Sequence, residues 1–290
     1  MPTVPLVPTV RRRRLGSALR AYRLEAGFDV LEDAAAAMGW DRSKLSRIET
    51  AKGAIKIADV PLLLAAYGIT DPEQIRPLEE LARDAGKKGW WQTYTDLAAP
   101  SYVDLISLED DAQSIRTYSP QLIPGLLQTA AYAREIIAAT AITRTTEEVI
   151  ALTEVRMARQ AVLSRPGKPL KLRAIIHEAA LHQEFPTRPG LMKEQLRRLL
   201  DAGKLPTVTI QVMPLTAAAH PGQVGGFSLV DFPHPMPSMV ETENLKGSSY
   251  VEGGEDTKLF SEAFEQVVAA ALPVDDSTAL IATLEGKAPK

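Results

Sequence analysis

Residues 31–50, LEDAAAAMGWDRSKLSRIET, hold two short runs of small and apolar residues separated by a glycine. If both runs are helical, the positions that face each other are Ala34, Ala35, Met38, Leu45 and Ile48. Gly39 follows the first run, at a place where chains commonly turn through a left-handed conformation that suits glycine. Asp41 stands where a side chain can cap the start of the second helix. The pattern predicts two helices packed closely around a tight turn.

The second helix of this pair leaves a polar and basic face that packing does not use. Two helices joined in this way form a helix-turn-helix, whose second helix enters the DNA major groove. Arginine suits guanine because it donates to both O6 and N7. We expect bases to be contacted by Arg42, Ser43 and Arg47, and phosphates by Lys44 and Ser46. The alternative is an ordinary helical hairpin with a solvated, charged face.

The sequence around this pair predicts three more helices, at 11–27, 57–67 and 71–85. Together the five helices make a mainly α domain from residue 11 to residue 85, and the proline-containing residues 1–10 predict a flexible lead-in. The first helix begins with four arginines, Arg11, Arg12, Arg13 and Arg14. These side chains are candidate phosphate contacts, or else a solvated helix start or flexible arm.

Residues 11–70 resemble the XRE family of phage-repressor and Cro-like helix-turn-helix regulators, and SKLSRIE at 43–49 is similar to the family signature. The resemblance implies a transcriptional regulator, here expected to be a repressor, that binds double-stranded promoter or operator DNA. It also implies a structural ion pair between Glu49 and Arg23. Two features depart from the family pattern: the interval before the turn is one residue longer, and Leu31 stands where a glutamine often contacts a phosphate.

The length of 290 residues leaves enough chain for a second core of about 200 residues. GKKGWWQTYTDLAAPS at 86–101, with Trp90 and Trp91, predicts a linker or hinge. Residues 102–290 predict an α+β domain with a small, mostly antiparallel sheet. Helices are expected at 102–116, 126–138, 145–163, 191–202 and 255–271. Strands are expected in PLKLRAIIH, TVTIQVMPL, GGFSLVDF and PSMVETE, and a glycine-rich hairpin turn in HPGQVGGF at 220–227.

Several stretches of the larger domain occur in a characteristic order. They include GWW at 89–91, RTYSPQLIPGLLQTAAYAREII at 116–137, RMARQAVL at 156–163 and VTIQVMP at 208–214. In this order they resemble the C-terminal domain of actinobacterial XRE regulators that is called domain of unknown function 5753. The resemblance implies an antitoxin-like regulator, often encoded beside a very small partner protein. EDDA at 109–112 is expected to belong to the scaffold.

The residue types that catalysis or metal binding would need do not fall into a suitable pattern. The absence of cysteine excludes disulfides and thiolate metal sites. His177 and His182 are five residues apart rather than four, so a helix would not place them on one face for zinc. No serine lies in a GxSxG elbow. We expect a protein that is not an enzyme and that has no catalytic residue, no metal and no cofactor.

Charge is distributed unevenly along the chain. Residues 1–70 hold 11 Lys+Arg against 7 Asp+Glu, a net +4, so the total of −3 leaves −7 for residues 71–290. The basic part would attract phosphate although the whole chain is acidic. No apolar run approaches the ~18 residues of a membrane span, and the N-terminus lacks the pattern of a secretory signal. We expect a cytoplasmic protein that is associated with the nucleoid when bound to DNA.

Two roles remain open for the larger domain. In the first, it binds a small partner protein or a second copy of the chain, and an exposed apolar patch would support this role. In the second, it senses a small-molecule ligand, and a dry apolar cavity with a few polar groups would support that role. A homodimer is expected in either case, because two-fold proteins read half-sites about one helical turn apart.

Overall fold

The computed structural model describes residues 10–84, 100–140, 144–234, 236–245, 247–252 and 254–288. The chain divides into two compact units. The first takes in the described residues 10–84 together with the segment Phe232–Pro237, and the second takes in the other described residues. The predicted lead-in at 1–10 and the predicted linker at 86–101, with both tryptophans, lie almost wholly outside the described residues.

The described part of the first unit contains five helices. They are α1 (Val10–Glu25), α2 (Leu31–Ala37), α3 (Arg42–Glu49), α4 (Asp59–Ala66) and α5 (Pro72–Asp84). Each helix supplies fully buried aliphatic side chains to one core, among them Leu19, Ala34, Leu45, Leu64 and Leu78. The glycines in the turns after α1 and α2 adopt positive φ, +83° at Gly27 and +62° at Gly39. A side chain at either position would be strained, which explains why both helices end there.

The second unit has seven described helices and six strands. The helices are α6 (Pro100–Asp111), α7 (Ala130–Thr140), α8 (Thr146–Arg159), α9 (Glu178–Leu181), α10 (Leu191–Ala202), α11 (Gly254–Ala270) and α12 (Val274–Lys287). The strands are β1 (Ser114–Ser119), β2 (Lys171–His177), β3 (Val208–Met213), β4 (Phe227–Asp231), β5 (Met239–Asn244) and β6 (Gly247–Glu252). They form one sheet in the order β3-β2-β1-β4-β5-β6.

The sheet is mixed and mostly antiparallel. Strand β1 runs parallel to β2, and β2 runs parallel to β3, whereas the pairs β1–β4, β4–β5 and β5–β6 are antiparallel. Parallel neighbours need a long crossover, and helices α7 to α10 lie in the two crossovers between β1, β2 and β3. Five helices followed by an α+β unit confirm the predicted fold class.

Helix α11 covers one face of this sheet. Phe264 and Val267 of α11 are fully buried against Tyr118 and Phe227, a cross-strand pair on β1 and β4. Elsewhere in the unit a buried ion pair joins Glu109 of α6 to Arg159 of α8, with 2.7 Å between Glu109 Oε2 and Arg159 Nε. Burial acts to lower the pKa of Arg159, but the charge of Glu109, the nearby Tyr102 and hydrogen bonds to both together outweigh it, and the pKa is raised.

The structure corrects several predicted elements in the second unit. The helix expected at 102–116 ends at Asp111, and Arg116 lies on β1, a central strand that was not predicted. Strand β6 and helix α12 were not predicted either. The segment 220–227 is not a hairpin turn, because β3 and β4 lie on opposite sides of β2 and β1 in the sheet. It contains a 3-10 turn, Pro221–Val224, that leads into β4.

None of the helices in the described ranges is, by itself, long and apolar enough to cross a membrane. The pair α11 and α12 meets the length and composition requirement only when taken together, with a bend of 65° between them.

Candidate nucleic-acid interface

The turn between α2 and α3 is held by close packing and by backbone hydrogen bonds. Ala34, Ala35 and Leu45 are at most 1% exposed, so the two helices touch without an intervening large side chain on α2. The amide of Trp40 donates to the Ala35 carbonyl at 2.9 Å, which folds the chain back over the end of α2. These three residues therefore pack between α2 and α3, as the sequence pattern predicted. The core that they form fixes the orientation of α3 relative to α2.

Asp41 caps the start of α3. Its Oδ1 atom accepts a hydrogen bond from the backbone amide of Ser43 at 2.7 Å. Hydrogen bonds from Ser43 lower the pKa of the Asp41 carboxyl group, because they favour its ionised form. The cap satisfies an amide that the helix itself leaves unpaired. Helix α3 consequently begins at Arg42, as predicted.

The outward face of α3 carries the predicted base contacts. Arg42, Ser43 and Arg47 are exposed, whereas Lys44 and Ser46 are half-buried at the sides of the helix. Arg47 Nε lies 3.3 Å from the Ser43 carbonyl oxygen, one turn earlier, to which it donates. The structure thus brings two guanidinium groups and a hydroxyl to the N-terminal and central part of one exposed helix face.

Arg42 makes an ion pair that the sequence analysis missed. Its Nε atom lies 2.8 Å from Oε1 of Glu32 in the first turn of α2. The side chains of Arg42 and Glu32 are 66% and 55% exposed. No local sequence signal shows that these two residues meet, because the contact depends on how α2 and α3 cross.

Lys44 is engaged within the unit. Its Nζ atom lies 3.5 Å from Asp59 Oδ2 on α4 and 3.5 Å from the centre of the Trp40 ring. A cation above an aromatic face and beside a carboxylate is held in place from two sides. Contact with a phosphate would have to compete with these partners, which the sequence prediction for Lys44 did not include.

Arg23 and Glu49, the pair that the family resemblance implied, lie together. Arg23 Nε and Nη2 donate to the two carboxylate oxygens of Glu49 at 2.8 and 3.1 Å, and the side chains are 6% and 5% exposed. Arg23 also donates to the backbone carbonyl of Phe28. The hydrogen bond to Glu49 raises the pKa of Arg23, which favours the charged guanidinium. It ties the C-terminal end of α3 to the end of α1.

The segment after α3 is shaped around Arg47. The amide of Gly53 donates to the Arg47 carbonyl at 2.8 Å, and a β-carbon on Gly53 would lie 3.1 Å from the Arg47 β-carbon. Ala51 takes a left-handed conformation, with φ of +59°, although it is not glycine. Its side chain is only 2% exposed, so burial of the methyl group offsets part of the backbone strain.

The four N-terminal arginines are not equivalent. Arg11, Arg12 and Arg13 are half-buried at the start of α1, but Arg14 is only 3% exposed. The Arg14 guanidinium carbon lies 3.5 Å from the centre of the Phe232 ring, within the same unit. Its placement therefore disagrees with the prediction that Arg14 contacts a phosphate, because a buried guanidinium does not reach DNA.

The histidines considered for metal binding have local roles in the second unit. His177 Nδ1 accepts a hydrogen bond from the Ala179 amide at 3.2 Å and so caps α9. His182 Nε2 lies 3.4 Å from Glu178 Oε1. Among the described residues, no three His, Asp or Glu side chains are grouped closely enough to hold a metal ion.

Comparison with known protein families finds one match in each of the two parts of the chain described above. A family model described as Helix-turn-helix domain matches residues 14–78. A second, described as Domain of unknown function (DUF5753), matches residues 102–283, which is more than half of the chain. No curated protein and no solved structure matches the chain.

Proposed function

Because this chain belongs to the DUF5753 family and carries a helix-turn-helix domain ahead of the family domain, we propose that it is a sequence-specific DNA-binding transcriptional regulator. The observation that carries the proposal is the exposed face of α3, where Arg42, Ser43 and Arg47 stand on a helix capped at its start and tied down at its end. A helix held at both ends can enter a groove without first being ordered, so little binding free energy is lost.

In the proposed mechanism, α3 lies in the major groove of an operator. Arg42, Ser43 and Arg47 contact base edges, and each arginine is suited to a guanine. Phosphates are contacted by Lys44, Ser46 and the arginines at the start of α1 other than Arg14, which fixes the register of the helix on the duplex. Occupancy of the promoter then sets the level of transcription. This is the XRE type of regulator that the sequence resembles.

The proposal also includes a homodimer and a small partner protein. One small helix-turn-helix buries a limited DNA surface, so we propose a homodimer whose two α3 helices read half-sites about one helical turn apart. The DUF5753 domain binds a small protein encoded beside it, as in antitoxin-like regulators, and no step of this function requires catalysis, a metal or a cofactor. The protein acts in the cytoplasm, at the nucleoid.

Ligand sensing by the second unit is the alternative role. The described surface of that unit includes an open cleft lined by Lys193, Glu194 and Arg197 of α10 and by Glu285 of α12. Charged walls and a wide opening differ from the dry apolar cavity that small-molecule sensors usually have. This cleft therefore gives no support to ligand sensing.

A DNA titration tests the proposal. The purified protein is titrated against its own upstream DNA, against sites selected from a random duplex library, and against unselected duplex, over a range of salt concentrations. We expect a preference of at least ~10³ for a specific site, with affinity that falls steeply as salt rises. Binding of all duplexes at the same affinity would overturn the proposal.

A second titration tests the role of the DUF5753 domain. The neighbouring small protein is added to the complex with the preferred site, and a change in apparent affinity for DNA is the expected result. The matched control is the isolated small protein with the same DNA, which should not bind. An unchanged affinity, together with no complex between the two proteins in sedimentation, would contradict partner binding.

A further inference from the structure

The ion pair between Glu32 and Arg42 stands at the edge of the proposed DNA-reading surface. Arg42 is the first residue of α3, and its Nε atom lies 2.8 Å from Glu32 Oε1 in the first turn of α2. The two helices are locked together by Ala35 and Leu45, which are buried in the core between them. The separation of the two backbones is thus set by the core, and the ion pair is present before any DNA arrives.

The Glu32–Arg42 ion pair contributes little to the stability of the fold. Both side chains are more than half exposed, and exposed ion pairs contribute little to stability. The buried pair between Arg23 and Glu49 is different, because its side chains are shielded from water and hold two helix ends together. A stabilising ion pair therefore explains Arg23 and Glu49, whereas Glu32 gains its stabilising effect from its place in the first turn of α2, which does not require contact with Arg42.

Glu32 also carries the wrong charge for its position. The start of the second helix of a helix-turn-helix is the part that approaches DNA, and DNA presents a dense row of negative phosphates. A carboxylate beside Arg42 opposes that approach and cancels part of the attraction. This cost is understandable if the carboxylate performs a task at Arg42 itself.

The atoms of the pair indicate the task. A guanidinium has five N–H donors in one plane, and Glu32 is the counter-ion of Arg42, with 2.8 Å between Glu32 Oε1 and Arg42 Nε. A guanidinium held beside a counter-ion has less freedom to turn than one surrounded by water, so fewer of its orientations must be given up on binding. Guanine presents two acceptors, O6 and N7, on its major-groove edge, and a paired set of donors in a fixed plane matches them.

We propose that Glu32 is a positioning residue for DNA recognition: it orients Arg42 towards a guanine and disfavours binding to non-cognate DNA. This inference rests on the proposed function. Orientation strengthens binding where a guanine is present, and the negative charge weakens binding wherever the guanine contact is absent. Glu32 therefore increases the difference between specific and non-specific affinity.

The test compares two substitutions that remove the same charge from adjacent positions. Glu32→Gln removes the carboxylate that contacts Arg42, and Asp33→Asn removes the neighbouring exposed carboxylate on the same turn of α2. Dissociation constants are measured for the wild-type protein's preferred site, for the same site with each G·C pair changed in turn, and for random duplex. Thermal unfolding shows whether each variant is folded.

We expect both variants to bind random duplex more tightly than the wild type, because each loses a negative charge. At one G·C pair, Glu32→Gln should also reduce the ratio of affinities between the preferred site and the changed site by about fivefold to tenfold, whereas Asp33→Asn should not. Arg42→Ala should lose discrimination at that same pair, and adding Glu32→Gln to Arg42→Ala should not reduce it further. A purely structural role for Glu32 would not produce this dependence on one base pair.

The negative outcomes are distinguishable. A wild-type protein that prefers no site over random duplex overturns the proposed function and this inference with it. The inference alone is overturned if the wild-type protein has a preferred site but Glu32→Gln and Asp33→Asn discriminate equally well at every G·C pair of that site. Loss of discrimination at a pair that Arg42→Ala does not affect also overturns it.

Discussion

Gly16 of α1 and Glu49 at the end of α3 meet backbone to backbone. A β-carbon on Gly16 would lie 2.5 Å from the Glu49 carbonyl oxygen and 2.7 Å from the Ile48 carbonyl oxygen. The atoms that it would meet belong to the main chain and cannot move aside as a flexible side chain does. Together with the Arg23–Glu49 ion pair, this close approach sets the distance between α1 and the proposed DNA-reading helix.

Gly16→Ala is therefore expected to destabilise the first unit. Alanine favours a helix over glycine by about 1 kcal/mol, but overpacking against a backbone costs about 1–3 kcal/mol, so the net effect is a loss. Urea unfolding measures the change, with Ser17→Ala on the next position of α1 as the control. Equal stability of the two variants would show that α1 can shift at no cost.

Arg47→Ala and Lys44→Ala should differ in their effects on DNA binding. Arg47→Ala should cost ~1–3 kcal/mol on the preferred site and relax the preference at one base pair. Lys44→Ala should weaken binding to all sequences similarly and flatten the salt dependence, and the loss of the Trp40 and Asp59 contacts should also lower stability slightly. Titrations over salt on preferred and random duplex separate the two. An equal loss on both DNAs for Arg47→Ala would contradict its contact with a base.

Glu109→Ala should strongly destabilise the second unit. The substitution leaves the Arg159 guanidinium buried without its carboxylate, and breaking a buried pair in this way costs about 3–5 kcal/mol. The double variant Glu109→Leu/Arg159→Met removes both charges and should recover much of the loss. Calorimetry compares the unfolding temperatures. If the double variant is no more stable than Glu109→Ala, the buried charge is not the cause of the loss.

Glu241 gives the second unit a pH dependence. Its side chain is 7% exposed and accepts a hydrogen bond from Ser248 Oγ at 2.7 Å. Burial raises the pKa of Glu241, which the hydrogen bond from Ser248 only partly opposes, while the charges of Glu243 and Glu109 raise it further. The folded protein thus binds a proton that the unfolded chain releases near pH 4.3, so this group lowers stability as pH rises above that value.

Glu241→Gln removes this dependence. The variant should become more stable relative to the wild type as pH rises from about 4.3 through the folded pKa, and the difference should be constant at lower pH. Urea unfolding at a series of pH values measures it, with Glu255→Gln, at an exposed position of α11, as the control. A stability difference that does not vary with pH would show that Glu241 has an ordinary pKa.

The helix-turn-helix could be predicted because its signals are local. Gly39 ends one helix, Asp41 starts the next, and alanines mark the crossing, all within a few residues. The partners of the exposed side chains could not be predicted in this way. Glu32 and Trp40 acquire their roles only when α2, α3 and the neighbouring turn are packed together.

Strand β1 was not predicted, because its own sequence does not identify it as a strand. Its sequence SIRTYS is short, and Arg116 made it resemble the charged end of the preceding helix. What makes it a strand is pairing with β2 on one side and β4 on the other, both distant along the chain. Strands β2 to β5 were predicted because their own residues are more strongly apolar or β-branched.

The pairing of β1 with β4 also governs when the second unit can be completed during synthesis. Ser114 and Asp231, which hydrogen-bond across these strands, are 117 residues apart. At a ribosomal speed of ~5–20 residues per second, β1 waits roughly ten seconds for that partner. Until β4 emerges, one edge of β1 is open to other chains. All five helices of the first unit have been synthesised by then, but Phe232, on which Arg14 packs, has not, so a nascent chain passes through a stage in which both units lack a late segment.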